Sequence, residues 1–241
     1  MTEARAGAAR PAAVVLDAGG VLVVPHPDHL RAGIPELRAT GAADRAVVRA
    51  HYAGVAAIDG FGLPASWEAY CTAFLLEAGV TSAGLRSAVP ALREVIQSVP
   101  GLWSYIPPGV SDGLRRLAAC GVALAVVSNS DGTIEAQLRA DAVCQVGEGG
   151  GTPVAVVVDS HLVGVAKPDP AIFTHALEVL GVAPAGCWYV GDTVAVDVAG
   201  ARAAGLVPVH LDPFAFCRQE GHAHATGLRE VAGLVDRCVP A

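Results

Sequence analysis

The sequence predicts a doubly wound α/β fold, with a five-stranded parallel sheet, helices on both of its faces and an inserted α-helical cap. Helical patterns alternate with strand patterns along the chain, and one long helical segment interrupts this alternation after the first strand. The strand patterns are short, mostly β-branched apolar runs, as strands buried on both faces require. These runs are Val14–Leu16, Ala123–Val127, Val154–Val158, Cys187–Val190 and Leu206–His210.

Two of the helical patterns carry start or stop signals. Apolar residues recur at helical spacing over Val110–Ala118, and Gly121 follows as a residue that ends a helix. Asp169 and Pro170 predict the cap and the first residue of a second helix, which ends at Gly181. In a sheet built from such alternating units, ligands bind beyond the carboxyl ends of the strands.

The segment 25–103 shows helical spacing of apolar residues without any buried strand pattern. A crossover of this length greatly exceeds the few residues that usually connect two elements. We therefore predict a core formed by residues 1–24 and 104–241, and a helical cap formed by residues 25–103.

Composition excludes several classes of protein. Of the 241 residues, 53% are hydrophobic and 16% are charged, which provides for a large core and excludes a disordered chain. No apolar run approaches the roughly 18 residues that a membrane helix needs, so no membrane partner is predicted. The formal net charge of -7 argues against a nucleic-acid partner, because binding phosphate chains needs a basic face.

The amino terminus and the cysteines predict a cytoplasmic protein. The stretch MTEARAGAARPAA mixes acidic and basic residues and lacks the apolar segment of a secretory signal. The six cysteines are far apart and form no C-x-x-C pair, which favours reduced thiols over disulfides or a zinc site. His222 and His224, at i and i+2, could bind a metal, but we expect an exposed loop there.

Polar residues follow two of the predicted strands directly. Asp17 comes after the first strand, and Gly19 and Gly20 allow a sharp turn beside it. Ser128, followed by Asn129, ends the second strand, where its hydroxyl and nearby backbone N–H groups could hold an anion. Each pattern alone is also typical of an ordinary turn or helix cap.

A lysine and two further aspartates complete the candidate site. Lys167 is the only lysine among sixteen basic residues, which indicates a specific need for a compact ammonium group. The prolines on either side of Asp169 stiffen the turn from which Lys167 projects. Asp192 ends a predicted strand and Asp197 follows it closely, so this pair can hold Mg²⁺ directly and through a hydrogen-bonded shell. Acids that only cap a helix are the alternative.

These segments occur in the order acid, hydroxyl, lysine, paired acids, and in this order the sequence resembles the haloacid dehalogenase-like hydrolase superfamily. The resemblance covers nearly the whole chain, including a helical cap between the first and second motifs. Similarity to the phosphatases of that superfamily implies a Rossmann-like core, a small phosphorylated substrate and an aspartyl-phosphate formed on Asp17. It also implies two sets of contacts: phosphate binding by Ser128, Asn129 and Lys167, and Mg²⁺ binding by Asp17, the Gly19 carbonyl and Asp192, with Asp197 orienting that metal site.

One position departs from the phosphatase pattern. Gly19 stands where most of these phosphatases carry a second Asp, the general acid and base, and losing that group lowers the rate by about 10²-fold to 10⁴-fold. We favour a substrate whose leaving group needs little protonation, such as a sugar 1-phosphate or an acyl or aryl phosphate. A proton donor on the cap, such as His26 or His29, is the alternative.

Two other functions stay open. A 2-haloacid dehalogenase also lacks Asp at position 19, although its site resembles a metal-free arrangement, whereas the pair Gly191–Asp192 suits a cation. A catalytically weakened phosphate-binding protein would also tolerate Gly19, but the presence of Asp17, Lys167 and both later acids argues against it. The sequence therefore predicts a Mg²⁺-dependent phosphatase.

Overall fold

The computed structural model describes residues 9–61 and 67–238. The prediction that no secretory signal is present concerns mostly residues 1–8, which lie outside the described residues, as do 62–66 of the predicted cap and 239–241 of the predicted core. The chain forms two compact units. Among the described residues, the first comprises 9–22, 108–213 and 218–238, and the second comprises 23–61, 67–107 and 214–217.

The strands and helices are numbered in chain order. The strands are β1 (Ala13–Leu16), β2 (Val24–Pro25), β3 (Trp103–Tyr105), β4 (Ala123–Ser128), β5 (Cys144–Val146), β6 (Thr152–Val154), β7 (Val157–Asp159), β8 (Cys187–Gly191), β9 (Val207–Leu211) and β10 (Ala223–Ala225). The helices are α1 (Pro27–Gly33), α2 (Pro35–Thr40), α3 (Asp44–Phe61), α4 (Trp67–Glu77), α5 (Leu85–Ser98), α6 (Val110–Ala119), α7 (Ile134–Ala140), α8 (Ser160–Val163), α9 (Ala171–Leu180), α10 (Ala199–Ala203) and α11 (Leu228–Asp236). A π-helical turn, Val194–Val198, precedes α10.

A parallel sheet in the order β10-β9-β8-β1-β4-β7 forms the centre of the first unit. The doubly wound α/β prediction is confirmed, and the described sheet has six strands where five were predicted. The prediction missed β10, which contains no β-branched residue and therefore lacks a strand pattern. The predicted strand Val154–Val158 is divided, because Val154 ends β6 in a separate two-stranded sheet and Val157 begins β7.

The central strand β1 is fully buried, as its apolar run requires, and its neighbours β4 and β8 extend two and one residues beyond its end. Leu16 lies opposite both Val126 of β4 and Val190 of β8. The chain runs from β1 to β4 on one side of the sheet and crosses to β8 on the other. The carboxyl end of β1 is therefore a switch point, where sheets of this kind bind ligands.

The helices of the first unit begin and end close to their predicted signals. Gly121, with a left-handed φ of 75°, follows α6, and Gly181, with a φ of 64°, ends α9. The cap of α9 is Pro170 rather than Asp169, although the Asp169 carboxylate accepts the Ala171 N–H at 2.9 Å and so satisfies this helix end. These stops return the chain to the sheet after each helix.

The second unit packs α1 to α5 around an apolar core that includes Leu37, Phe74 and Leu92, beside the antiparallel pair β2 and β3. Helix α1 is capped by His26, whose Nδ1 accepts the Asp28 N–H at 3.2 Å. The sequence assigned Phe214–Cys217 to the core, but this segment belongs to the second unit. Its contacts there are with α3, where the Arg49 guanidinium lies 5.4 Å from the ring centroid of Phe214 and 4.6 Å from that of Phe216.

Among the helices of residues 9–61 and 67–238, none combines the length and the apolar character that crossing a bilayer would take.

Candidate active site

The candidate site residues all lie in the first unit, and most of them follow the carboxyl ends of neighbouring strands. Asp17 follows β1, Ser128 ends β4 and Asp192 follows β8. All three side chains are buried. Because these strands are adjacent and in register, residues far apart in the chain meet at one edge of the sheet.

The carboxylate of Asp17 is oriented by two donors. Its Oδ1 accepts the Ala18 N–H at 2.7 Å, and its Oδ2 lies 2.7 Å from Nζ of Lys167. The backbone N–H of Asp17 still belongs to the sheet, because it donates to the carbonyl of Val190 at 2.8 Å. The side chain therefore projects from a rigid strand end and has little freedom to turn.

Lys167 is surrounded by three acceptors, which match the three protons of its ammonium group. Nζ lies 2.7 Å from Asp17 Oδ2, 2.7 Å from Asp197 Oδ1 and 2.8 Å from the hydroxyl of Tyr189. The lysine is 5% exposed, so this charge is almost fully removed from water. A buried charge of this kind is tolerated only when it is paired and fully hydrogen-bonded.

Asp197 accepts donors on both of its oxygens. Oδ1 accepts from Lys167 and, at 3.0 Å, from the Tyr189 hydroxyl, while Oδ2 accepts the Thr193 hydroxyl at 2.6 Å and its N–H at 3.0 Å. With four donors, this carboxylate is fixed within the π-helical turn Val194–Val198. It therefore serves to hold Lys167 and the turn after β8 in place.

Asn129 clamps the backbone of Lys167. Its Oδ1 accepts the Lys167 N–H at 2.8 Å, and its Nδ2 donates to the Lys167 carbonyl at 3.0 Å. Oδ1 and one of the two Nδ2 protons are thus used on the protein itself, and phosphate binding by Asn129 stays a prediction. Its observed role is to hold the loop that carries the lysine against the end of β4.

Two glycines make room for the acids after β8. A Cβ on Gly20, which has a left-handed φ of 72°, would lie 1.9 Å from Asp192 Oδ2. A Cβ on Gly191 would lie 2.4 Å from Cβ of Asp197. Side chains at these positions would displace the carboxylates, so the close approach of the acids depends on glycine.

The electrostatics follow from burying three carboxylates with one ammonium group. Burial, reinforced by Asp197 and Asp192, raises the pKa of Asp17 to about 7, although Lys167 opposes this shift. Burial also acts to raise the pKa of Asp197, but Lys167 and the Thr193 hydrogen bonds outweigh it and lower that pKa. Burial acts to lower the pKa of Lys167, yet Asp17 and Asp197 raise it overall, so the lysine stays charged.

The carboxylates fit a divalent cation. One oxygen from each of Asp17, Asp192 and Asp197 lies within 4.8 Å of the others. The donors are hard anionic oxygens, which suit Mg²⁺ or Ca²⁺ and not a soft metal. Because Asp197 already accepts four hydrogen bonds, Asp17 and Asp192 are the better direct ligands, and Asp197 supports them.

Sequence reasoning missed Tyr189 and Thr193. The single proton of the Tyr189 hydroxyl is shared between the Val127 carbonyl, 3.2 Å away, and Asp197 Oδ1, 3.0 Å away, so Tyr189 ties β4 to the lysine and the acid. Burial, with the nearby Asp17 and Asp197, raises the pKa of Tyr189 well above its usual value, which keeps the hydroxyl protonated as a donor. A buried tyrosine needs a hydrogen-bond partner, and this was the available signal.

A family model described as haloacid dehalogenase-like hydrolase matches residues 11–205. Phosphoserine phosphatase of Thermus thermophilus is 38% identical over 92 residues, which are 38% of this chain and 34% of that protein. The chain spans about half the length, or less, of the curated relatives that it matches.

Solved structures share the fold at low identity. A putative phosphoglycolate phosphatase from Lactobacillus delbrueckii superposes with a TM-score of 0.60 at 18% identity, covering 94% of this chain and 98% of that one. A 2-haloacid dehalogenase from Pseudomonas syringae gives a TM-score of 0.52 at 19% identity, covering 93% and 97%. The likeness confirms the fold and does not distinguish the two activities.

The close contact at Gly20 leads to a matched pair of substitutions. Gly20→Ala should destabilise the protein by more than Gly164→Ala, because Gly164 has nearly the same φ, 73°, but no atom within 4 Å of an added Cβ. Gly164→Ala should cost only the left-handed strain, about 1–2 kcal/mol. Urea denaturation measures both. Equal losses would mean that Asp192 can move aside freely.

The raised pKa of Asp17 predicts how stability depends on pH without a cation. The folded state binds this proton more tightly than the unfolded chain, so stability should fall as pH rises from about 4 to about 7. In EDTA, Asp17→Asn should flatten the fall of Tm with pH and give a higher Tm than wild type at pH about 8. The exposed acid Asp141 provides the control, since Asp141→Asn should keep the wild-type slope. An unchanged slope in Asp17→Asn would contradict the assignment.

Proposed function

The chain belongs to the haloacid dehalogenase-like hydrolase family, and we propose that it is a Mg²⁺-dependent phosphatase that hydrolyses a small phosphate monoester through an aspartyl-phosphate on Asp17. The observation that carries the proposal is the placement of Asp17. Its carboxylate lies at the switch point of the sheet, in contact with the single lysine and among two further acids. The phosphatase relative supports the same class of substrate.

In the proposed reaction, a carboxylate oxygen of Asp17 attacks phosphorus and the bond from phosphorus to the ester oxygen breaks. The departing oxygen takes a proton from solvent or from an acid of the protein. Water then attacks phosphorus, the bond to Asp17 breaks, and inorganic phosphate and the free carboxylate remain. A bound Mg²⁺, held by Asp17, Asp192 and the Gly19 carbonyl, would supply positive charge against the phosphoryl oxygens.

Lys167 would exchange partners during this reaction. All three of its protons are engaged by protein acceptors. Once Asp17 carries the phosphoryl group, its negative charge is lost. The Lys167 proton that Asp17 had accepted then becomes available to a phosphoryl oxygen. Asp197 and Tyr189 keep the ammonium group in place throughout. Most of phosphoryl-transfer catalysis consists of such positioning and charge neutralisation.

Ser128 and Asn129 have different roles in this proposal. Ser128 ends β4 beside the Asp17 strand, where its hydroxyl can contact a phosphoryl oxygen. Asn129 acts through Lys167, because both atoms of its amide bind the lysine backbone. In this proposal it acts as a positioning residue.

Gly19 suggests a substrate whose leaving group departs easily. Without a second acid after Asp17, an alkyl ester would lack the proton that its leaving oxygen needs. The leaving groups of acyl, aryl and anomeric phosphates depart without a proton from the protein. A proton from His26 or His29 is the alternative, and His26 already uses Nδ1 to cap α1.

A cytoplasmic location and the lack of nucleic-acid or membrane partners stay predictions from composition.

A 2-haloacid dehalogenase is the second candidate, because Gly19 fits it equally well. In that reaction Asp17 would attack carbon and release halide, with no need for a cation. The acid cluster argues against it, since Asp192 beside Asp17 would repel a carboxylate substrate and raises the pKa of the nucleophile. A weakened phosphate-binding protein is the third candidate.

Asp17→Asn should lower turnover of acyl, aryl and anomeric phosphates by about 10³-fold or more, because an amide oxygen is a poor nucleophile. The assay is phosphate release with Mg²⁺ in excess, and Asp141→Asn is the control that should keep wild-type rates. EDTA should abolish the wild-type rate. Alkyl phosphates should react more slowly than the other three classes.

Each other outcome identifies a different function. Full activity in Asp17→Asn would remove the nucleophile assignment. Halide release from a 2-haloacid in EDTA would indicate the dehalogenase, and phosphate binding without turnover of any ester would indicate a binding protein.

Asn129→Ala should lower kcat/KM by about 10-fold to 100-fold, because the loop that carries Lys167 loses two hydrogen bonds and about 1–3 kcal/mol of stability. Gln145 is the matched control, since its amide also clamps a loop, accepting the Gly151 N–H at 2.8 Å. Gln145→Ala should lower Tm comparably and leave kcat/KM unchanged. If both variants lost activity in proportion to Tm, Asn129 would have only a structural role.

A further inference from the structure

Three histidines of the first unit converge on the face of β9 and β10. The parallel register places His210 directly opposite His224, and the two-residue period of a strand places His222 on the same side as His224. One ring nitrogen from each histidine lies within 4.8 Å of those of the other two. The expected exposed loop around His222 is therefore wrong, because His222 is buried and β10 begins at the next residue.

Hydrogen bonds orient these rings as they are oriented in metal sites. Nε2 of His210 lies 2.8 Å from the backbone carbonyl of Asp192, which can only accept, so Nε2 carries the proton. Nδ1 of His210 then presents its lone pair to Nε2 of His222, 3.2 Å away. A histidine that binds a metal through one nitrogen commonly donates its other N–H to a backbone carbonyl in this way.

The charge state of the cluster also suits a cation. Burial and the two neighbouring rings lower the pKa of His222 to about 4, and burial with His210 lowers that of His224, so both imidazoles are neutral near pH 7. The neutral ring is the form that binds metals. Asp212, two residues after His210, adds a carboxylate whose Oδ2 lies 3.9 Å from Nδ1 of His224. The positive charge of Arg202 also lowers the pKa of His222, whereas the negative charge of Asp212 raises it.

We propose that His210, His222 and His224 form a second metal site, which takes Zn²⁺ or a similar imidazole-binding ion and does not take Mg²⁺. Three nitrogen donors and a nearby carboxylate match the preferences of zinc, whereas magnesium prefers oxygen. His224 gives the ion access, because its side chain is 36% exposed while the other two are buried. The proposal does not depend on the phosphatase activity.

A metal at this position would cross-link two neighbouring strands. It would join β9 to β10, an edge strand of three residues that has β9 as its neighbour in the sheet. It would also strengthen the hydrogen bond from His210 to Asp192, because a bound cation makes the other ring N–H a better donor. The zinc site and the carboxylate site would thus be connected through the backbone of one residue.

The test is equilibrium dialysis of the untagged full chain against Zn²⁺, with Mg²⁺ in large excess to occupy the carboxylates. Wild type should bind one zinc ion per chain, and His224→Gln should weaken binding by about 10-fold or more. His224 is partly exposed, so the glutamine leaves no buried group unpaired and the variant should fold. His175→Gln, on the exposed face of α9, is the control that should bind zinc as wild type does.

Two further readouts separate the site from other zinc-binding groups. Zinc should raise the Tm of wild type and of His175→Gln, but not that of His224→Gln. Co²⁺ should give the visible absorption of a four-coordinate site in wild type only. Stoichiometric zinc binding that survives His224→Gln would place the ion at the thiols or carboxylates and overturn the proposal, as would the absence of zinc binding by wild type.

Discussion

The structure of the site depends on one electrostatic constraint, which is that three buried carboxylates share one ammonium group at the end of the central strand. Such an arrangement is unfavourable unless each charge is matched. Lys167 matches part of the negative charge, and a raised pKa of Asp17 is what remains when no further cation is present. The demand for positive charge is thus a property of the fold, and in the proposed function a divalent cation would meet it.

The surrounding residues maintain this arrangement against its own repulsion. Asn129 fixes the lysine from the backbone side, and Tyr189 and Thr193 saturate Asp197. Gly20 has no side chain and therefore leaves room for the Asp192 carboxylate. If the histidine cluster binds zinc, the carbonyl of Asp192 is held as well, so two metals of different chemistry would stabilise the same turn after β8.

The sequence predicted what depends on local pattern. Strand ends followed by acids can be recognised in the sequence, so Asp17 and Asp192 were found, and Lys167 was found because no other lysine exists. The contact of the Asn129 amide with Lys167 and that of the Tyr189 hydroxyl with Val127 were missed, because these partners lie 38 and 62 residues away in the chain. Strand β10 was missed because tertiary pairing, and not propensity, makes it a strand.

The stereochemical course at phosphorus tests the central claim most directly. A phosphorothioate ester made chiral with oxygen isotopes would be hydrolysed in isotopically labelled water, and the configuration of the released thiophosphate determined. Each in-line displacement inverts phosphorus, so attack by Asp17 followed by attack by water gives net retention. Net inversion would mean that water attacks the substrate directly, and Asp17 would then not be the nucleophile.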